Sequence, residues 1–148
     1  MAEKLRTITS ANSTLILTIP LLYPAPQKIE QFAVDDMWSL EQVDLVETQT
    51  GADGNVSFGY TPTARPFSFT LQANSPSVDI LQYYMTAMEA QKEVYGCSIV
   101  LSIPSIKKSY SMADGAMVKA ASGASGKKVL APLQYGFMFA SIKPSILA

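Results

Sequence analysis

The sequence predicts a mainly β domain, a β-barrel or β-sandwich with one flanking α-helix. Three observations carry this. Short runs rich in β-branched and aromatic residues alternate apolar and polar side chains with period two. Clusters of Gly and Pro punctuate them at short intervals. Only one stretch, about 77–94, holds its apolar residues at helical spacing. The 148 residues amount to one domain, 1–148.

The elements follow in order. TLILTI (14–19) is a strand, broken by Pro20, Pro24 and Pro26. IEQFAV (29–34) reads as a short second strand. LEQVDLVETQT (40–50) reads as a longer one, with Val43 and Leu45 facing the core and Gln42, Asp44, Thr48 and Thr50 facing away. Asp53-Gly54, flanked by Gly51 and Asn55, is the strongest hairpin signal, and VSFGY is the return strand. Pro62 and Pro66 bracket a loop. In residues 67–72, Phe67, Phe69 and Leu71 share one face, and Ser68, Thr70 and Gln72 the other.

Ser75 is the expected N-cap of the helix, with Pro76 at its first position and Asp79 in its first turn. Val78, Leu81, Met85 and Met88 form its core stripe. Gly96 marks a natural stop. Tyr83 and Tyr84 cannot both face the core, so one faces a neighbour or solvent. CSIVLSI (97–103) alternates with Cys97, Ile99, Leu101 and Ile103 inward. Residues 109–129, rich in Ala, Ser and Gly, read as a loop with one short strand near 109–113. QYGFMFASI (134–142) is the last strand, with Tyr135, Phe137 and Phe139 on one face. The total is six to eight strands around one helix.

The chemistry expected of an enzyme is missing. The sequence has no His, which removes Ser-His-Asp and Cys-His catalysis, His-metal sites and the commonest general base. Ser105/Lys108 and Ser125/Lys128 match Ser-x-x-Lys, but the Ser-Asp-Asn and Lys-Thr-Gly partners of that family are absent. GASGKK (123–128) lacks the spacing and the Ser/Thr of a phosphate loop. Asp35-Asp36 is at most half of a metal site, and no calcium-loop pattern follows. Trp38 reads as a core or interface anchor. Cys97, the sole cysteine, forms no internal disulfide and reads as a buried, inert thiol. No cofactor or metal is expected.

Charged residues make up 16% of the chain and the net charge is -1. Ordinary domains carry about 25% charged residues, so much of this surface is expected to be covered by copies of the chain or by partners. The Lys and Arg residues are dispersed, unlike a phosphate-binding face. Lys4 and Arg6 precede an apolar run, but Thr18 and Pro20 break it and no small-x-small site follows. It is read as strand and loop, not a signal peptide, which leaves the Asn12 and Asn55 glycosylation matches without meaning. No run approaches the ~20 apolar residues of a membrane helix.

The stretch from Thr48 to Leu81, TQTGADGNVSFGYTPTARPFSFTLQANSPSVDIL, resembles the corresponding segment of tail tube proteins from contractile-tailed bacteriophages. In that family a GADG-type turn precedes an FTLQ-type strand, a link such as NSPS and an amphipathic helix. Type VI secretion tube proteins look like the same architecture. The resemblance implies a structural virion protein of the tail, made in the host cytoplasm, which closes into homohexameric rings. The rings stack into a tube that DNA passes during ejection. It implies contacts with sheath, tape measure, baseplate and tail terminator proteins, and none with membrane. Strand parity then offers Gln42, Asp44, Thr48, Ser68, Thr70 and Gln72 as candidate lumen-facing residues, with Ser98 and Ser102 beside them. The 51–55 turn and the 113–128 segment are the candidate ring-to-ring contacts: Gly51, Asp53, Gly54, Asn55, Asp114, Lys119 and Lys127. Two alternatives stay open. One is a non-polymerising tube-initiation or baseplate ring protein. The other is a monomeric β-barrel module for a small apolar ligand.

Overall fold

The computed structural model describes residues 11–33, 37–124, 126 and 128–146. Among these described residues, nine strands and one α-helix follow in the order β1 (Thr14–Ile19), β2 (Tyr23–Ile29), β3 (Trp38–Leu40), β4 (Val46–Thr50), β5 (Val56–Tyr60), β6 (Arg65–Leu71), α1 (Ser77–Gln91), β7 (Cys97–Ile103), β8 (Lys108–Lys119) and β9 (Leu133–Ile146). Seven strands form one antiparallel sheet in the order β2-β1-β7-β8-β9-β6-β3. β4 and β5 form a separate hairpin.

The sheet curls back on itself at one end. Past β2, Gln31 accepts a hydrogen bond from the Gln72 N–H at 2.9 Å, and the Ala33 N–H donates to the Thr70 carbonyl at 2.9 Å. A single bridge joins Phe32 to Leu71. The continuation of one edge strand therefore pairs with β6, next to the other edge, and the core is enclosed as in a barrel.

Period-two alternation builds that core. Leu15, Leu17 and Ile19 from β1 meet Ile99 and Leu101 from β7, and Phe67, Phe69 and Leu71 meet Tyr135 and Phe137 across β6 and β9. Phe69 stacks on Phe137 with ring centroids 5.5 Å apart, and Phe137 on Phe139 at 6.0 Å. Burying such rings gives both area and aromatic pairing, so truncating one to Ala costs about 3–5 kcal/mol.

The helix plugs this core with Val78, Leu81 and Tyr84, all buried, while Tyr83 stays half exposed and packs edge-on against Tyr23. Its start is pinned by side chains one residue later than the sequence predicts, with Pro76 at the cap position and Ser77 first in the helix. Ser75 Oγ accepts from the Ser77 N–H at 3.2 Å and donates to the Glu30 carbonyl, and the Glu30 N–H donates to Ser77 Oγ at 2.9 Å. Pro76 already has helical angles.

Several expectations are corrected. Residues 30–33 do not make the second strand, and Val34 lies outside the described residues; β2 is the proline-bearing YPAPQKI, tolerated because it is a sheet edge. Pro66 lies inside β6 rather than ending a loop. The helix ends at Gln91, not 94, because Lys92 takes the left-handed conformation (φ 52°) and closes on the Met88 carbonyl before Gly96 is reached. Residues 40–50 are not one strand: β3 ends at Leu40 and β4 starts at Val46, Val43 is half-buried, and Leu45 is exposed. The strand expected near 109–113 is not short, since β8 runs twelve residues from Lys108 to Lys119. The last strand is β9, fourteen residues long instead of nine.

Candidate functional site

Every residue from Asp44 to Tyr60 is exposed, so the β4–β5 hairpin stands off the barrel. Its pairing puts Val46 opposite Tyr60, Thr48 opposite Phe58 and Thr50 opposite Val56. These six side chains share one face, because directly opposed residues in an antiparallel pair point the same way. Glu47, Gln49, Ser57 and Gly59 form the other. The apolar face is open to solvent: Phe58 is 72% and Tyr60 76% exposed.

The hairpin is nonetheless rigidly specified. At its base the Thr61 N–H donates to the Leu45 carbonyl at 3.0 Å, and Thr63 Oγ1 to the Asp44 carbonyl at 2.8 Å. At its tip the Gly51 N–H donates to the Asn55 carbonyl at 2.8 Å and the Gly54 N–H to the Gly51 carbonyl at 3.0 Å. Asp53 accepts from the Asn55 backbone and side chain at 3.2 and 2.7 Å. Gly54 sits at φ 87°, a conformation that L side chains rarely adopt. Four residues, Gly51, Asp53, Gly54 and Asn55, thus close the tip with their own hydrogen bonds.

The other candidates scatter. Ser68 and Thr70 lie on the outer face of β6, beside Ser39 and Gln134, and these four with Trp38 and Glu41 line a shallow cleft. Gln42 and Asp44 sit in the irregular link between β3 and β4, Thr48 is on the hairpin's apolar face, and Gln72 follows β6 and meets Gln31. The parity argument that grouped them fails at Gln42 and Asp44, because no strand runs there. Ser98 and Ser102 are on β7, half-buried. Asp114 and Lys119 belong to β8, not to a loop. Lys127, Ser125 and the Asp35-Asp36 pair lie outside the described residues. Among the described residues no group of three His, Cys, Asp or Glu side chains is placed to hold a metal.

Within the barrel, Tyr84 donates to the Tyr95 carbonyl, and the Met117 N–H donates to the Tyr84 hydroxyl at 3.5 Å. Cys97 lies against Tyr84, and burial pushes its thiol up to about 11. Burial likewise raises Tyr84 and Tyr135. A protonated thiol is a poor nucleophile, so this group is a packing element. Trp38 is half-buried on β3, opposite Phe69, where it packs against the core.

A family model described as tail fiber protein gp32 matches residues 6–143. The chain belongs to the tail fiber protein gp32 family. No curated protein sequence matches it. Among solved structures, this gp32-family chain is similar to a chain of the sheath/tube terminator of PVC, an extracellular contractile injection system. The TM-score is 0.61 at 11% identity, over 94% of this chain and 96% of that one. A chain of the PVC sheath-tube complex in the extended state gives 0.59 at 9% identity, over 95% and 93%. A chain of the tube-terminating cap of the anti-feeding prophage gives 0.57 at 12%, over 99% and 95%. At these identities the likeness is one of fold. The gp32-family chain is thus a structural, tail-related protein whose fold is that of components of contractile injection systems.

Proposed function

We propose that the chain self-assembles into rings that stack as the inner tube of a contractile tail, through which DNA passes. The observation that carries this reading is the β4–β5 hairpin, a preorganised element with an aromatic face left exposed among the described residues. Exposed apolar surface of this kind marks an interface. The fold agrees, since similar chains occur in sheath-tube, cap and baseplate assemblies. Hexameric rings, sheath and tape measure contacts, and location in a virion tail belong to this proposal. So does the absence of catalysis.

Ser68 and Thr70, with Ser39 and Gln134, are the proposed lumen-facing residues. They offer hydroxyl and amide groups without a cation, so passing phosphates find no binding group. The Gly51–Asn55 tip is the proposed ring-to-ring contact.

Negative-stain microscopy of the purified chain at rising concentration tests the proposal. Hollow tubes or stacked rings are expected. Rings that never stack would replace it with the initiator or baseplate reading, which the likeness to cap and baseplate chains favours as second choice. Monomers at every concentration would overturn self-assembly.

A further inference from the structure

The charges are segregated along the chain. Between Ile29 and Ala64 the sequence holds seven carboxylates and no Lys or Arg; from Val94 to Ala148 it holds six lysines and one carboxylate. A net charge of -1 hides this division.

The fold converts the division into two surfaces. The first is the hairpin, whose face carries Val46, Val56, Phe58 and Tyr60, with the exposed Asp44 in the link before its base and Asp53 in the turn at its tip. The second lies on the outer face of the sheet. Register places Lys28 of β2 beside Ile16 of β1, Ile16 beside Val100 of β7, Val100 beside Ser111 of β8, and Ser111 beside Lys143 of β9. The five make one row across five neighbouring strands. Their sequence neighbours Leu15, Leu17, Leu101 and Met112 point into the core, so the row points out. All five residues are exposed, Ile16 at 36% and Val100 at 39%. The row is apolar at Ile16 and Val100 and cationic at both ends; the hairpin carries its apolar side chains between a carboxylate before its base and another in its turn.

The two are of similar length. Four strand spacings of about 4.8 Å make a row of ~19 Å, and the five residues of a hairpin strand, Val46–Thr50, reach ~17 Å. The hairpin cannot serve both surfaces of one chain, because it stands off its own barrel.

We propose that the β4–β5 hairpin of one copy lies across the Lys28–Ile16–Val100–Ser111–Lys143 row of a second copy. The occupant of the row is this chain itself, by charge and apolar complementarity. The contact is heterologous, since two different patches meet, so it propagates from copy to copy instead of stopping at a dimer. This deepens the proposed self-assembly, on which it rests, by naming the surfaces that meet.

Cysteine cross-linking tests it. Thr48→Cys puts a thiol on the hairpin face beside Phe58, and Ser111→Cys puts one in the row; both positions are exposed, and native Cys97 is buried. Under mild oxidation the two variants, mixed, are expected to give a cross-linked 1:1 dimer that neither gives alone. Lys28→Glu with Lys143→Glu in the Ser111→Cys chain is expected to lower the yield about tenfold, as loss of charge complementarity does. Asp44→Lys in the hairpin chain is expected to restore part of it.

The outcomes separate the two proposals. Wild-type rings or tubes without the mixed cross-link overturn this contact and leave self-assembly standing. The cross-link without rings or tubes upholds the contact and overturns the tube. Neither cross-link nor assembly overturns both. Retention of the hairpin by another protein, with no cross-link between copies, also overturns the contact.

Discussion

At the residue scale, Cys97 is the most informative side chain, because its burial has a sign. The folded thiol titrates near 11 instead of its ordinary value near 9. A raised folded-state value stabilises the fold below the ordinary value, and that contribution disappears as pH rises through the folded one. Tyr84 and Tyr135, raised by the same desolvation, act in the same direction. The expected outcome is a thermal midpoint that falls between about pH 9 and pH 11, with a shallower fall in the Cys97→Ala variant, measured by circular dichroism. A midpoint independent of pH over that window would refute the burial argument. At this scale the sequence was most legible where alternation was unbroken. Phe67, Phe69 and Leu71, then Cys97, Ile99, Leu101 and Ile103, all point inward as their spacing predicts. It misled at Val43 and Leu45, whose alternation belongs to an irregular link without a core to face.

At the element scale, two features account for most of what the sequence concealed. β8 hides behind small residues because its neighbours leave no room. A Cβ on Gly115 would stand 2.3 Å from the Met138 carbonyl oxygen, and Asp114 beside it adopts φ 55°. The bulge there shifts the register against β7, so the period-two signal fails in the middle of the strand. The hairpin is the reverse case. Its turn was plain in Asp53-Gly54, whereas its independence from the barrel was not, since β4 and β5 carry apolar residues that resemble a core strand. Replacing Val46–Tyr60 by a short Gly/Ser link is expected to change the unfolding free energy by less than about 1 kcal/mol, as removal of exposed residues does, and to abolish assembly. Denaturant unfolding and sedimentation velocity on the same sample check both halves. A large loss of stability would mean that the hairpin packs on its own barrel.

At the scale of the whole molecule, the separation of carboxylates from lysines makes the proposed association sensitive to salt. The screening length falls from about 10 Å at 0.1 M to about 3 Å at 1 M ionic strength. The concentration needed for assembly is expected to rise across that range, measured by light scattering, while the apolar middle of the contact keeps it from vanishing. A threshold unmoved by salt would argue that the charged ends contribute nothing. The barrel-like enclosure itself was only partly legible, because it depends on Gln31 and Ala33 reaching β6 from the far edge, a pairing of residues some forty positions apart with no local signature.

The strand at the open edge gives the molecule one further property. β2 carries Pro24 and Pro26, which have no N–H to offer, and β3 at the opposite end of the sheet is three residues long. A crowd of identical barrels, held side by side at high local concentration, is the setting in which bare strand edges zip together into irreversible aggregates. Here an arriving chain meets a row with missing donors on one side and a stub on the other. In the proposed assembly, copies then meet the main sheet through side chains and not by pairing with its edges, so a subunit that lands out of register is free to leave and try again.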